Sequence, residues 1–235
     1  MTQLCVIFDI DGTLCDTNAV DDECYRRAAA AVLDLPTSQI DWTDAPHITD
    51  SGIARWLWER LRGRAPTPQE VDRLRLDFLR RLEVERAAAS HRFRPISAAP
   101  EFLDGLRRVD AVLGIGTGGW RVSAELKLTT AGLPTNLLYA TADDAEARVE
   151  IFSLAWTRAN ADSGRPAATV LIGDSVWDVA TARNLGWRFL GIGGGARATR
   201  LREAGAARVV ADYARLDMLN AVQSAQLPLE DGAAV

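Results

Sequence analysis

Short apolar segments alternate with helical patterns along much of the chain. The apolar segments predict buried strands at 4–8, 111–115, 137–139, 169–172 and 189–192. They are apolar at consecutive positions, which is typical of strands covered on both faces. Helical patterns lie between them, at about 121–131, 146–161 and 176–185. Strands that alternate with helices predict an α/β fold with a parallel sheet and right-handed crossovers.

The segment 17–94 departs from this alternation because it contains no convincing strand. Its longest patterns are all helical, namely DDECYRRAAAAVL, DSGIARWLWERL and VDRLRLDFLRRLEVERAAA. The last of them follows a clear start signal, in which Thr67 is the N-cap, Pro68 takes the first helical position and Glu70 can close a capping box. We therefore expect an all-helical insertion at 17–94, after the first strand.

The composition of the chain indicates which partners and which cellular location to expect. The 235 residues carry a formal net charge of -5, which does not favour nucleic acid or an anionic membrane surface as a partner. No apolar stretch approaches transmembrane length, and the first residues lack the features of a signal peptide. The three cysteines, Cys5, Cys15 and Cys24, form neither a disulfide framework nor a metal-binding spacing. We therefore expect a cytoplasmic protein with reduced thiols.

Carboxylates follow two of the predicted strands. Asp9 and Asp11 come after the first strand, in FDIDGT, and Asp174 and Asp178 come after a later one, in IGDSVWD. Parallel strands bring their carboxyl ends to one edge of the sheet, so these acids are expected to converge. One acid of the first pair can act as nucleophile while the other serves as general acid and base. Asp9 and Asp174 can also supply the oxygen ligands that Mg²⁺ prefers, and Asp178 completes the candidate set.

The second predicted strand of the sheet ends on a hydroxyl and two glycines, in GIGTGG. Thr117 and the N–H of Gly118 can bond phosphate oxygens, since glycine allows a close approach to the backbone. Arg148, at the start of a predicted helix, can neutralise a transferring phosphoryl group. Lys127 is the rival cation, but its place inside a helix favours a solvated or snorkelling side chain. Together with the acids, these groups favour phosphoryl transfer, which needs mainly positioning and charge stabilisation.

These motifs, in this order and spacing, resemble the haloacid dehalogenase-like hydrolase superfamily. Within it they are most similar to the phosphoglycolate phosphatase-like branch, which carries a helical cap. The resemblance rests on FDIDGTL, IGTGG, Arg148 and GDSVWD and covers almost the whole chain. It implies a Rossmann-like catalytic core at 1–16 and 95–235, with the helices of 17–94 as a mobile cap over the site.

The resemblance also implies a chemistry. It implies an aspartyl-phosphate intermediate and a Mg²⁺ site built from Asp9, the carbonyl of Asp11 and Asp174. Two positions depart from the family pattern. The second motif commonly has Asn where this chain has Gly118, and the third usually has Lys where the best-placed cation is Arg148.

One polar cluster in the helical insertion is a candidate for selecting the substrate. It lies in APHITDSGIARW and comprises His47, Thr49, Asp50 and Arg55. An equally good interpretation is that Thr49 or Asp50 caps the helix that follows.

The sequence thus predicts a Mg²⁺-dependent phosphatase that acts on a small phosphorylated metabolite. A phosphomutase would use the same residues and return the phosphoryl group to the substrate. A non-catalytic phosphate-binding protein stays open because of Gly118. A dehalogenase needs no second acid, so Asp11 argues against it. A receiver domain is about half this length and has no helical insertion.

Overall fold

The computed structural model describes residues 4–161, 168–214 and 218–229. The strands are β1 Leu4–Phe8, β2 Val112–Gly116, β3 Leu138–Ala140, β4 Ala168–Gly173, β5 Arg188–Ile192 and β6 Val209–Val210. The α-helices are α1 Asn18–Leu33, α2 Asp50–Arg62, α3 Pro68–Ala88, α4 Ala99–Arg108, α5 Arg121–Thr130, α6 Arg148–Ala159, α7 Val176–Leu185, α8 Gly195–Glu203 and α9 Met218–Gln223. Short 3₁₀ helices occupy Thr37–Gln39 and Ser90–Phe93. Within these ranges no helix has the length and apolar character needed to cross a membrane.

The strands form one parallel sheet in the order β3-β2-β1-β4-β5-β6. The predicted α/β fold with a Rossmann-like parallel sheet is therefore confirmed. The chain moves from β1 to β2 and β3 on one side, and then crosses back to β4 on the other side. In open sheets of this kind, ligands bind at the carboxyl ends of the strands where the order reverses. Here that place is the edge where β1, β2 and β4 end.

The central strand shows why its residues are apolar at every position. Val6 and Phe8 join the hydrophobic cluster on one face of the sheet, and Cys5 and Ile7 join the cluster on the other. All of these side chains are fully buried, because successive side chains of a strand point to opposite faces and helices cover both.

The insertion after β1 is helical, as predicted. All of residues 17–94 are described, and they form α1, α2, α3 and the short 3₁₀ helices without a strand. Their hydrophobic cluster also takes in Trp120 and Ala142, which follow β2 and β3. The inserted helices are thus joined to the sheet region by packing as well as by the chain. The domain boundaries at 16/17 and 94/95 stay a prediction.

The start of α3 confirms the predicted capping box. The backbone N–H of Glu70 donates to Oγ1 of Thr67 at 3.3 Å, and Oε2 of Glu70 accepts from the N–H of Thr67 at 2.7 Å. Pro68 takes the first helical position, where its missing N–H costs no helical hydrogen bond.

Candidate active site

Asp9 lies directly beyond the carboxyl end of β1. Its N–H donates to the carbonyl of Ile172 on β4 at 3.0 Å, so the strand pairing fixes where its side chain emerges. The residue is 5% exposed, and burial raises the pKa of Asp9 well above its ordinary value while Arg148 opposes the rise. Oδ1 lies 3.0 Å from Nη2 of Arg148. No residue in the described ranges donates a hydrogen bond to Oδ2, which leaves this oxygen for a ligand or substrate.

The turn after Asp9 requires glycine at position 12. Gly12 has a φ of +74°, a backbone conformation that other residues rarely adopt. A Cβ there would also lie 2.0 Å from Oδ2 of Asp174 and 2.2 Å from Nδ2 of Asn18. The turn therefore packs directly against the acid that ends β4.

Asp174 and Asp178 bring further negative charge to Asp9. Asp174 is nearly buried beyond the end of β4, and burial, followed by repulsion from Asp178, raises its pKa to about 6. Asp178 lies in the first turn of α7 and accepts from the N–H of Ser175 at 3.1 Å. Oxygens of Asp9, Asp174 and Asp178 all lie within 4.8 Å of one another. Such a group of buried carboxylates can hold a divalent cation.

Arg148 lies among these acids at the start of α6. Its Nε and Nη2 donate to Oδ1 of Asp178 at 2.8 and 2.5 Å, and Nη2 also reaches Asp9. Burial alone would lower the pKa of Arg148, but Asp178 and Asp9 raise it above its ordinary value, so the guanidinium stays charged. The structure thus places the predicted cation beside the predicted nucleophile.

Thr117 follows β2 on the other side of β1. Its N–H donates to the carbonyl of Ala140 at 3.1 Å, and its Oγ1 accepts from the N–H of Gly119 at 3.2 Å. Thr117 and the two glycines after it line the same cavity as Asp9 and Arg148. The ends of β1 and β2 therefore bring the predicted hydroxyl and glycine pair to the acids.

The surroundings of Gly118 explain why this chain has glycine where the family pattern commonly has Asn. A Cβ at this position would lie 2.8 Å from Nη1 of Arg148 and 2.8 Å from the carbonyl oxygen of Ile48. Its own carbonyl accepts from the N–H of Asp50 at 2.7 Å. A longer side chain has no room here, because the loop before α2 approaches the backbone at this point.

The environment of Lys127 differs from the solvated or snorkelling side chain that the sequence predicts. It is fully buried, and its Nζ donates to Oδ2 of Asp11 at 2.6 Å and to Oδ1 of Asp21 at 2.6 Å. Burial alone would lower the pKa of Lys127, but Asp11 and Asp21 more than offset this and raise it. The sequence held a signal for this role, because Lys127 is the only lysine among 27 basic residues.

Two of the four cap candidates line the cavity. Thr49 accepts from the N–H of Gly52 at 3.1 Å and so caps α2, which is the alternative interpretation of this residue. Its hydroxyl donates to the carbonyl of Glu146 at 2.8 Å. The carboxylate of Asp50 accepts from the N–H of Trp120 at 2.8 Å. Both side chains therefore join the inserted helix to the core, besides bordering the cavity.

The other two cap candidates, His47 and Arg55, lie outside the cavity that the described residues form. Arg55 pairs with Glu146 at 2.8 Å and is 49% exposed, so its charge faces solvent. The polar cluster in the sequence is therefore divided, since Thr49 and Asp50 line the cavity whereas Arg55 faces solvent.

The cavity has a volume of about 490 Å³. Its walls also include side chains outside the predicted site: Asn18, Asp21, Trp177, Arg197 and Arg200. Asn18 donates to Asp174 at 2.8 Å, and Arg197 lies 3.1 Å from the same carboxylate. Arg197 comes two residues after the three glycines that follow β5, and this glycine-rich segment is the sequence feature that could have identified it.

Comparison with known proteins identifies the family of this chain. The family model of haloacid dehalogenase-like hydrolases matches residues 4–186. The chain belongs to this family. The predicted resemblance is confirmed at that level, while no curated relative gives a significant match.

Solved structures show the same fold. A hydrolase from Pseudomonas syringae is 24% identical with a TM-score of 0.69, over 96% of this chain and 100% of that chain. CbbY from Rhodobacter sphaeroides, solved with phosphate, is 20% identical with a TM-score of 0.63, over 92% and 96%. A hydrolase from Deinococcus radiodurans, solved with phosphate and sodium, is 23% identical with a TM-score of 0.54, over 96% and 98%.

Proposed function

We propose that this hydrolase is a Mg²⁺-dependent phosphatase that acts on a small phosphorylated metabolite, with Asp9 as the nucleophile. The observation that carries the proposal is the difference between the two oxygens of the Asp9 carboxylate. Nη2 of Arg148 lies 3.0 Å from Oδ1, whereas Oδ2 has no hydrogen-bond donor among the described residues, and Asp9 lines the cavity. A nucleophile needs such an arrangement, in which one oxygen is oriented and the other is free to attack.

The surrounding groups suit a phosphoryl group. Thr117 offers a hydroxyl, Gly118 a backbone N–H and Arg148 a guanidinium, and all three border the cavity beside Asp9. Donors of this kind stabilise the charge on the oxygens of a transferring phosphoryl group. The phosphate bound in the structures of CbbY and of the Deinococcus radiodurans hydrolase supports the same assignment.

The buried acids fit Mg²⁺. Asp9 and Asp174 are the proposed carboxylate ligands, and the carbonyl of Asp11 stays a predicted third ligand. Asp178 belongs to the same cluster, but Arg148 and the N–H of Ser175 already engage its two oxygens, so we assign it mainly to holding Arg148. When bound, Mg²⁺ would reduce the repulsion between the carboxylates and a phosphate dianion.

Asp11 supplies the two proton transfers. In the first step, Oδ2 of Asp9 attacks phosphorus, the bond from phosphorus to the leaving oxygen breaks, and Asp11 gives its proton to that oxygen. In the second step, water attacks phosphorus, the bond to Asp9 breaks, and the carboxylate of Asp11 takes the proton from water. The sum is ester plus water to alcohol plus phosphate, and Asp11 ends in its starting state.

A single turnover in heavy-oxygen water tests the proposal. Enzyme in excess over a phosphomonoester is allowed one turnover with Mg²⁺, and the peptide that contains Asp9 is examined by mass spectrometry. Attack of water at phosphorus predicts labelled phosphate and an unlabelled Asp9. A labelled Asp9 would instead indicate an ester hydrolysed at its carboxyl carbon, as in a dehalogenase.

Controls separate the remaining alternatives. Asp9→Asn is expected to form no phosphoenzyme, and a chelator is expected to abolish turnover. Full activity in chelator would contradict the metal dependence. An isomerised phosphorylated product without phosphate release would indicate a phosphomutase, and phosphate binding without turnover would indicate a binding protein.

A further inference from the structure

The position of Lys127 is explained neither by substrate contact nor by packing. It is the only lysine of the chain, and its side chain is 1% exposed. It is not among the described residues that line the cavity, so it does not meet the substrate there. A buried ion pair is also a weak source of stability, because desolvation offsets much of the attraction. The reason for this lysine must therefore lie in the groups that it holds.

The groups that Lys127 joins come from two different segments. Its Nζ donates to Oδ2 of Asp11 at 2.6 Å and to Oδ1 of Asp21 in α1 at 2.6 Å. The other oxygen of Asp11 accepts from the hydroxyl of Thr17 at 2.6 Å. The carbonyl of Thr17 in turn accepts from the N–H of Asp21 at 2.9 Å. Both oxygens of Asp11 are thus held from the start of α1, one directly by its N-cap residue and one through Lys127.

The choice of lysine fits this geometry. Lysine and arginine together number 27 in this chain, and all of them except Lys127 are arginines. Arginine presents its donors in a planar fork that suits a single carboxylate, whereas an ammonium directs three donors from one atom. Two carboxylates that converge on one point, as those of Asp11 and Asp21 do, are met by a compact ammonium.

We propose that Lys127 is a positioning residue, which holds the carboxylate of Asp11 in the orientation for proton transfer and makes that orientation depend on α1 through Asp21. The role given to Asp11 rests on the proposed phosphatase function, whereas the contacts of Lys127 are tested independently of it. Lys127 exchanges no proton with the substrate. The proton passes from Asp11 to the leaving oxygen, and Lys127 keeps its contacts to both acids.

The first experiment tests the contacts without any activity. Protein labelled with ¹⁵N at lysine is expected to show one side-chain ammonium signal by NMR, because the chain has a single lysine and its Nζ is shielded from solvent. Asp21→Asn should shift this signal or lose it through exchange with water. Asp22→Asn is the matched control, since Asp22 is the next residue of α1 and pairs instead with Arg26. A signal that responds equally to both changes, or to neither, would overturn the contact with Asp21.

The second experiment tests the consequence for catalysis. In Lys127→Met, kcat/KM for an alkyl phosphate should fall about 100-fold, the size of a general-acid contribution. For 4-nitrophenyl phosphate, whose leaving group needs no proton, the loss should be only about fivefold. Asp21→Asn should show the same dependence on the leaving group and serves if Lys127→Met does not fold. Glu125→Gln, on the exposed face of α5, is the control and should leave both substrates unaffected.

The outcomes distinguish this proposal from the proposed function. An equal loss on both substrates would assign Lys127 a purely structural role, and no loss on either would also overturn the positioning role. If the unmodified protein hydrolyses no phosphomonoester, the proposed function fails, and with it the role given to Asp11. The NMR experiment still decides whether Lys127 joins Asp11 to Asp21.

Discussion

The two walls of the cavity are built in different ways. On the sheet side, Asp9, Thr117 and Asp174 follow three neighbouring strands, and backbone pairing between the strands sets their positions. On the side of the insertion, Asn18 and Asp50 come from the first turns of α1 and α2 and reach the core through their polar groups. The difference suggests that the sheet wall carries the proposed chemistry, whereas the helical wall holds the core groups in place.

The contact between the walls is extensive. The N–H of Asp50 donates to the carbonyl of Gly118 at 2.7 Å, the N–H of Trp120 donates to the carboxylate of Asp50 at 2.8 Å, and the hydroxyl of Ser51 donates to the carbonyl of Ala142 at 2.7 Å. Because two of these acceptors are backbone carbonyls, the helical wall is tied to the backbone that follows β2 and β3. Changes on the two walls should therefore differ in size and in kind.

The largest effect is expected on the sheet side, from Arg148→Ala. Losing the charge beside the phosphoryl group should lower kcat/KM about 100-fold or more. The change also leaves Asp178 buried without its cation, so the free energy of unfolding should fall by about 3 to 5 kcal/mol. Kinetics with 4-nitrophenyl phosphate and urea unfolding measure the two effects, with Arg148→Lys as the variant that keeps the charge. A greater loss in Lys127→Met on this substrate would contradict the assignment of Arg148.

A smaller effect is expected where the walls meet, from Gly118→Ser. The added side chain would press against Arg148 and the carbonyl of Ile48, each 2.8 Å from its Cβ. We expect the free energy of unfolding to fall by about 1 to 3 kcal/mol and KM to rise, since the displaced helices border the cavity. Gly105→Ala in α4 is the control, because a Cβ there meets nothing within 4 Å. That variant should gain about 0.5 to 1 kcal/mol, and an equal loss in both would contradict the crowding at Gly118.

Asp50→Asn tests the helical wall through the pH dependence of the free energy of unfolding. Burial, followed by repulsion from Asp21, raises the pKa of Asp50 well above its ordinary value. Its contribution to stability is therefore complete below the unfolded-state pKa and is lost as pH rises through the native value. The asparagine keeps an acceptor for Trp120 but cannot ionise. Urea unfolding between about pH 5 and about pH 8 should show a smaller decline in stability for the variant than for the unmodified protein. Parallel curves would contradict the raised pKa.

The smallest effect is expected at the surface, from Arg55→Gln. The Arg55–Glu146 pair is 49% and 37% exposed, so its loss should cost less than about 1 kcal/mol of unfolding free energy. Because Arg55 lies outside the cavity, KM should stay unchanged across a panel of phosphomonoesters. A change in substrate ranking would restore Arg55 as a selecting residue.

The sheet wall could be predicted because its information is local. The segment 4–8 is apolar at consecutive positions, ends on Asp9 and forms β1 with the predicted bounds. The parallel arrangement then brings the ends of neighbouring strands together whatever the details of packing. Among the strands of the described residues, the prediction misses only β6, since the two residues Val209–Val210 are too few to carry a pattern. It also omits the helices α4, α8 and α9.

The helical wall could be predicted only in part. Helical periodicity identified the elements of 17–94 and the cap at Thr67, which depend on neighbours within a turn. Periodicity does not show which face of α5 lies against Asp11 and Asp21, so the sequence predicts a solvated or snorkelling Lys127. The contacts of Lys127 span 116 positions to Asp11 and 106 to Asp21.

The sequence by itself determined the α/β fold, the first five strands with the helical insertion after β1, and the residues at the strand ends, because apolar runs, capping signals and strand termini are local properties of the chain. The tertiary structure decided that Lys127 is buried against Asp11, that Gly118 has no room for a side chain, and that Arg55 faces solvent. Those outcomes depend on how helices pack against the sheet edge. Packing is set by side chains far apart in the sequence, which no local pattern brings together.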